Sequence, residues 1–324
     1  MMRAGRQRRF GIAVSVGIVV WVVCAGHARA KDESGTIEVG GYERSYLAYV
    51  PDNKLPSGAP LLLVLHGTGM TGSQMRAMTG GEFDRLADAH GFAVIYPNGY
   101  QNTWDDCRKT DPTASKQLHL DDIAFFRALA ARFHDAYAID PGRLFIMGYS
   151  NGAQMAMRAA LEAPDMVSAI AAVSANLPVP DNSICHPLGK PMAILLMNGT
   201  ADPVNPFKGG EVKLGKNGSR GFVHSTHETA RYWATLGGYV GDPETDTLPH
   251  RDPTDPTSVT VWDWHAAGKK PVIVFVVNGG GHVVPNSSLP PQPVLGKATR
   301  DIDAPQVIWA FFNSVFQGGP SAKP

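Results

Sequence analysis

Apolar residues along the chain fall into two alternating kinds of run. Leu61 to Leu65, Phe92 to Tyr96, Leu144 to Met147, Ala169 to Val173, Ala193 to Met197 and Val272 to Val277 are short, continuous and mostly aliphatic. Runs of that length without polar alternation predict strands buried on both faces of a parallel sheet. Val259 to Trp264 predicts a further strand. Between them, apolar positions recur at helical spacing over Glu82 to His90, from Asp121-Asp122 through Ile123, Phe126, Leu129, Ala130 and Phe133, over Asn151 to Leu161, and over Ala304 to Phe316. The two aspartates suit a helix N-terminus as caps. Ser225 to Trp233 opens with a Ser-x-x-Glu capping box, Ser225 to Glu228.

The N-terminal pattern differs. Ile37, Val39, Tyr42, Tyr46, Leu47 and Tyr49 flank Gly40-Gly41 and predict two short strands joined by a tight turn, an antiparallel edge. Alternating strands and helices after it imply an α/β fold with a doubly wound, mostly parallel sheet. The Pro-rich stretches Asp242 to Pro256 and Ser287 to Pro293 read as surface loops, and Gly318 to Pro324 as a frayed tail.

Arg3, Arg6, Arg8 and Arg9 precede an apolar run from Gly11 to Cys24 and the small-residue sequence Ala28-Arg29-Ala30. A basic start, a short apolar segment and such a cleavage site predict a secretory signal peptide over residues 1–30, leaving 31–324 as a single catalytic domain. The apolar run is short for a membrane span of ~20 residues, so no stable membrane association is expected after cleavage. Arg8-Arg9 leaves Sec and twin-arginine export both open, and Trp21-Val22-Val23 makes a poor lipobox before Cys24. The first 30 residues hold five of the 29 Lys and Arg and none of the 29 Asp and Glu, so the remainder carries 24 basic and 29 acidic side chains, a formal charge of −5. That balance argues against nucleic acid as a partner. Cys107 and Cys185 remain as an even pair, expected to be bridged in an oxidising compartment.

Gly148-Tyr149-Ser150-Asn151-Gly152 lies between an apolar strand and an Ala-rich helix. In that context Gly-x-Ser-x-Gly is the nucleophile elbow of the α/β-hydrolase fold: a sharp turn exposes Ser150 Oγ, and the glycines keep side chains out of the crowded turn. A serine needs a base, and the base an orienting acid, in the chain order Ser, acid, His. His282, after Gly279-Gly280-Gly281 and the strand Val272 to Val277, fits the base. Asp202, after the strand Ala193 to Met197, fits the acid better than Asp181, Asp252 or Asp255, which follow no strand end. The oxyanion donors expected are the backbone N–H of Asn151 and that of Thr68 in His66-Gly67-Thr68-Gly69, with Gly69 the neighbouring candidate. His66 is expected to organise that loop. His224 and His227 have metal-like spacing, but the capping box explains their neighbourhood, so neither metal nor cofactor is expected.

With these residues placed, the chain resembles the secreted polyhydroxybutyrate depolymerase and feruloyl esterase family of α/β-hydrolases, the LpqC-like esterases included. The matching runs are Leu65-His66-Gly67, Tyr96-Pro97-Asn98-Gly99 with Trp104, Asp121-Asp122, the Ser150 motif, Asn198-Gly199-Thr200-Ala201-Asp202-Pro203 and Gly279-Gly280-Gly281-His282. The resemblance implies a triad of Ser150, Asp202 and His282, an oxyanion hole of Thr68 and Asn151, and Trp104 as a wall of the substrate pocket. Burial over the core explains Trp104 equally well. Relatives often follow the histidine with Thr-Trp-Pro, where this chain has Val283-Val284-Pro285, and many carry a cysteine after the helix that here ends at Gly237-Gly238-Tyr239. The expected substrate is a small-molecule or oligomeric ester: hydroxyalkanoate oligomers, or hydroxycinnamate or acetyl esters of carbohydrates. A peptidase or acyltransferase would use the same triad, whereas a non-catalytic binding protein would need it broken.

Overall fold

In the computed structural model, which describes Met1 and residues 31–52, 55–215, 218–286 and 293–317, each aliphatic run expected to be a strand is one. The strands are β1 (Lys31–Val39), β2 (Tyr42–Val50), β3 (Leu61–Leu65), β4 (Ala93–Pro97), β5 (Leu144–Tyr149), β6 (Ala169–Val173), β7 (Ala193–Gly199), β8 (Gly210–Lys213), β9 (Ser219–Val223), β10 (Glu244–Thr247), β11 (Ser258–Trp264) and β12 (Val272–Asn278). The helices are α1 (Gly72–Met78), α2 (Glu82–His90), α3 (Ala114–Gln117), α4 (Asp122–Tyr137), α5 (Asn151–Glu162), α6 (Thr226–Leu236) and α7 (Ala304–Gln317). The expected signal peptide, residues 287–292 of the Pro-rich loop and the C-terminal tail lie outside the described residues.

Ten strands form one sheet in the order β1-β2-β4-β3-β5-β6-β7-β12-β11-β10. The six from β4 to β12 are parallel. Their side chains are buried on both faces, because one core cluster packs around Phe126, Leu129 and Trp233 and a second around Phe83, Ile308 and Phe312. A parallel sheet needs such helices on both sides, and burial on both faces is why its strands show no polar alternation. The expected N-terminal edge is present: β1 and β2 pair antiparallel, and β2 pairs antiparallel with β4.

Five features depart from expectation. The far edge is antiparallel too, since β11 and β10 run against β12 and β11. β10 lies within the stretch expected to be loop; its Glu244-Thr245-Asp246-Thr247 is exposed throughout, so no apolar position marks it. The short helix α1 has a capping box of Thr71 with Gln74, and β8 and β9 form a separate hairpin. Finally, the two aspartates divide: Asp121 caps α4 by accepting from Ala124 N–H, while Asp122 is buried against Arg44 of β2 at 2.6 Å. α6 has the expected capping box, with both bonds between Ser225 and Glu228 formed.

Candidate active site

β3, β5, β7 and β12 belong to the parallel part of the sheet, so the loops that follow them leave the same edge. Those loops carry Thr68, Ser150, Asp202 and His282 respectively. Ser150 sits at φ 55° and ψ −116°, a strained conformation for a residue with a Cβ. The turn closes because its flanking residues are glycines: a Cβ on Gly148 would lie 2.2 Å from the Gly152 carbonyl oxygen, and one on Gly152 would lie 2.5 Å from that of Leu65. Ser150 N–H donates to Val173 O on β6, and Gln154 N–H to Ser150 O, tying the elbow to strand and helix.

His282 is held by its backbone. Its N–H donates to Leu295 O at 2.7 Å, Gly281 N–H to Lys297 O at 2.8 Å, and the Tyr149 hydroxyl to His282 O at 2.8 Å. A Cβ on Gly281 would come within 2.1 Å of Leu295 O, which explains glycine there. The imidazole Nε2 lies 3.0 Å from Ser150 Oγ and Nδ1 2.8 Å from Asp202 Oδ2. Asp202 Oδ1 accepts the N–H groups of Val204 and Asn205. An ionised carboxylate can only accept, so Nδ1 carries the proton and Nε2 presents its lone pair to the serine. The His282 and Asp202 side chains are 4% and 1% exposed, so little water competes for these bonds. Asp252 and Asp255, the rival acids, instead bind Thr254, Thr257 and Arg300 at the surface.

Asn151 is the first residue of α5, where a backbone N–H has no partner within its own helix. The His66 to Thr68 loop passes directly against the serine, since a Cβ on Gly67 would lie 3.4 Å from Ser150 Cβ. Gly69 N–H is committed to Asn102 O and Met70 N–H to Gly67 O, whereas Thr68 N–H has no acceptor among the described residues. His66 is fully buried: Nε2 accepts Gly99 N–H at 2.9 Å and Nδ1 donates to Gly67 O at 2.8 Å. Burial drives its pKa down to about 4, so the ring is a neutral strut for this loop.

Trp104, for which a pocket wall and packing over the core were equal expectations, is fully buried, tilted against His66 and Phe126 with its indole N–H donated to His66 O. With no exposed surface it offers nothing for a substrate to touch, and packing accounts for its place. Cys107 and Cys185 form a disulfide with Cα atoms 5.1 Å apart. Sequence reasoning missed what surrounds them. The Asn151 side chain is gripped by Trp104 N–H, Trp104 O and Asp106 Oδ2, and Asp106 begins a buried ion network through Arg108 and Asp111 to Arg220. The run Asp105-Asp106-Cys107-Arg108 was the available signal, but nothing in it says that the charges face inward.

A serine on an elbow, a histidine it can donate to and a buried acid behind, all at one edge of a doubly wound sheet, define the α/β-hydrolase class. Comparison with known proteins narrows the class. Residues 52–214, half of the chain, match the model of the phospholipase/carboxylesterase family. A protein of Nocardia uniformis subsp. tsuyamanensis named as an esterase, NocK, is 30% identical over 84% of this chain and 79% of its own. Feruloyl esterase B of Piromyces equi is 26% identical over 71% of this chain, which spans only 41% of that relative's length. An acetyl xylan esterase from Aspergillus awamori shares the fold, with a TM-score of 0.53 at 18% identity over 78% of this chain and 95% of that one. The chain therefore belongs to the phospholipase/carboxylesterase family and is a carboxylic ester hydrolase. No helix among the described residues is long and apolar enough to cross a membrane.

Proposed function

We propose that the chain is a secreted serine esterase acting through an acyl-enzyme, with Ser150 as nucleophile, His282 as base and Asp202 as the group that orients it. The observation that carries this reading is the hydrogen-bonded path from Ser150 Oγ to His282 Nε2 at 3.0 Å and from His282 Nδ1 to Asp202 at 2.8 Å. Ser150 Oγ attacks the ester carbonyl as its proton passes to Nε2; the tetrahedral oxyanion is met by the N–H groups of Asn151 and Thr68. The ester C–O bond then breaks and the alcohol leaves with the proton from Nε2. Water, deprotonated by the same nitrogen, attacks the acyl-serine, and the acid departs as Ser150 regains its proton. Each step is a proton transfer or an acyl transfer, and all the groups required belong to the chain. The Cys107–Cys185 disulfide supports export to an oxidising compartment.

The substrate class proposed is acyl esters of carbohydrates, feruloyl or acetyl. A relative over 71% of the chain is named feruloyl esterase B, and one over 37% of it carries the name acetylxylan esterase A. Ser150→Ala should leave the fold intact and lower turnover of a short p-nitrophenyl ester by at least about 10³-fold. Turnover at the wild-type level would refute the proposal. A screen of the purified enzyme on feruloylated sugars, acetylated xylan and hydroxybutyrate oligomers tests the substrate class; preference for the oligomers would overturn the carbohydrate assignment and leave the mechanism standing.

A further inference from the structure

Trp104 lies between the two peptide groups assigned to the oxyanion and bonds to the supports of both. Its indole Nε1–H donates to the His66 carbonyl at 2.9 Å, two residues before Thr68. Its backbone N–H donates to Asn151 Oδ1 at 2.9 Å, and its carbonyl accepts from Asn151 Nδ2 at 3.2 Å. The second amide hydrogen of Asn151 goes to Asp106 Oδ2 at 2.6 Å. The Asn151 side chain is thus bonded through both its oxygen and its nitrogen, although only its backbone N–H is assigned to the oxyanion.

Behind this contact the loop is anchored by charge. Asp106 pairs with Arg108, Arg108 with Asp111, and Asp111 with Arg220; Lys116 pairs with Asp105, and Arg44 with Asp122, which also accepts Asp105 N–H. Four buried carboxylates therefore meet four buried cations, and the partly exposed Arg158 ties Asp105 onward to Glu162. Burying that many ions costs desolvation that apolar packing would avoid, and the best-attested return on such a cost is a fixed geometry.

We propose that Trp104, backed by Asp106, is a positioning residue that sets the spacing and aim of the two oxyanion donors, Thr68 N–H and Asn151 N–H. The inference rests on the reading of Ser150 as nucleophile. Donors act on the tetrahedral oxyanion only when placed about 2.7–3.1 Å from it. They reside on separate elements, the loop after β3 and the start of α5, and the 104–106 segment is bonded to both.

Two substitutions separate this role from simple packing. Trp104→Phe keeps a buried aromatic ring but removes the indole donor to His66. Asn151→Ala keeps the helix N-terminus and its backbone N–H but removes the side-chain clamp. Each variant should lower kcat per active site by about 10- to 100-fold with KM within about threefold. Affinity for a phenylboronic acid, which forms the tetrahedral adduct, should fall by the same factor. The pH midpoint of kcat/KM should stay at the wild-type value, because the His282 arm is untouched. Active sites are counted by titration with an organophosphate, so loss of folded enzyme is not scored as loss of rate. Wild-type kcat and boronate affinity per titrated site in Asn151→Ala, whether or not Trp104→Phe folds, would overturn the proposal. Activity surviving in Ser150→Ala would overturn the underlying reading instead.

Discussion

The two halves of the proposed site are held by different physics. The base half, Asp202 and His282, hangs on backbone: main-chain N–H groups of Val204 and Asn205 fix the carboxylate, main-chain bonds to Leu295 and Lys297 fix the histidine loop, and glycines let these strands of chain touch. The oxyanion half hangs on side chains: a neutral histidine, a buried tryptophan, an asparagine bonded at both ends and an ion network reaching from Arg44 to Arg220. Backbone bonding leaves the reacting side chains replaceable one at a time, so chemistry and stability should separate there. Side-chain bonding makes each oxyanion support a structural element too, so they should not separate.

The largest expected effect tests the first half. Asp202→Asn retains an acceptor for Val204 and Asn205, so thermal stability should change little. Its amide would donate to His282 Nδ1 and force the proton onto Nε2, the wrong tautomer for receiving the serine proton. A fall in kcat of about 10⁴-fold is expected, as for the corresponding change in serine proteases. A large loss of melting temperature with modest loss of kcat would erase the distinction between the halves.

In Arg108→Ala, by contrast, stability should fall along with rate. Burial pushes the Asp106 carboxyl up, but Arg108 and Lys116 outweigh it and hold its pKa below the ordinary value. Removing Arg108 leaves Asp106 buried without its ion-pair partner and Asp111 with Arg220 alone. Urea unfolding should show a loss of about 3–5 kcal/mol, the range for breaking a buried pair by deleting one member. A variant as stable as wild type would mean the network is not what holds the loop.

This division also decides what the sequence disclosed. That Ser150, Asp202 and His282 come together was legible because backbone solutions leave local marks: Gly148 and Gly152 around Ser150, three glycines before His282, and strand ends in the order that places the aspartate. The parallel strands were legible for the same reason, burial on both faces writing an unbroken aliphatic run. Thr68, Asn151 and the loop role of His66 were read from their motifs as well, but the side chains that hold the oxyanion half were not. Asp122 reads as a helix cap because its partner Arg44 is 78 residues away, and Trp104 carries the same letter whether it lines a pocket or is buried. β10 escaped because an exposed edge strand of Glu and Thr has no buried face to betray it. Long-range polar pairing is specified by geometry that no local pattern encodes.

The smallest of the expected effects is a matter of pH and falls on His66. Its folded pKa is about 4, driven down first by burial and also by the nearby Arg44 charge, against the opposing bond to Gly67 O. In the unfolded chain it returns to about 6.5, so between those values the unfolded state binds the extra proton. Stability from this residue is therefore complete above pH ~6.5 and lost as pH falls toward 4, by about 3 kcal/mol in all. Protonation at Nε2 would also break its bond from Gly99 N–H, which ties the loop after β3, carrying Thr68, to the loop after β4. Carboxylates titrate over the same range, so the measurement is a difference: urea unfolding of wild type and His66→Gln at intervals from pH 7 to 4. The wild type should lose more stability on acidification, the gap between the two narrowing as pH falls. Parallel curves would mean that the loop does not depend on a neutral imidazole, and the contrast between the two halves would then rest on the ion network alone.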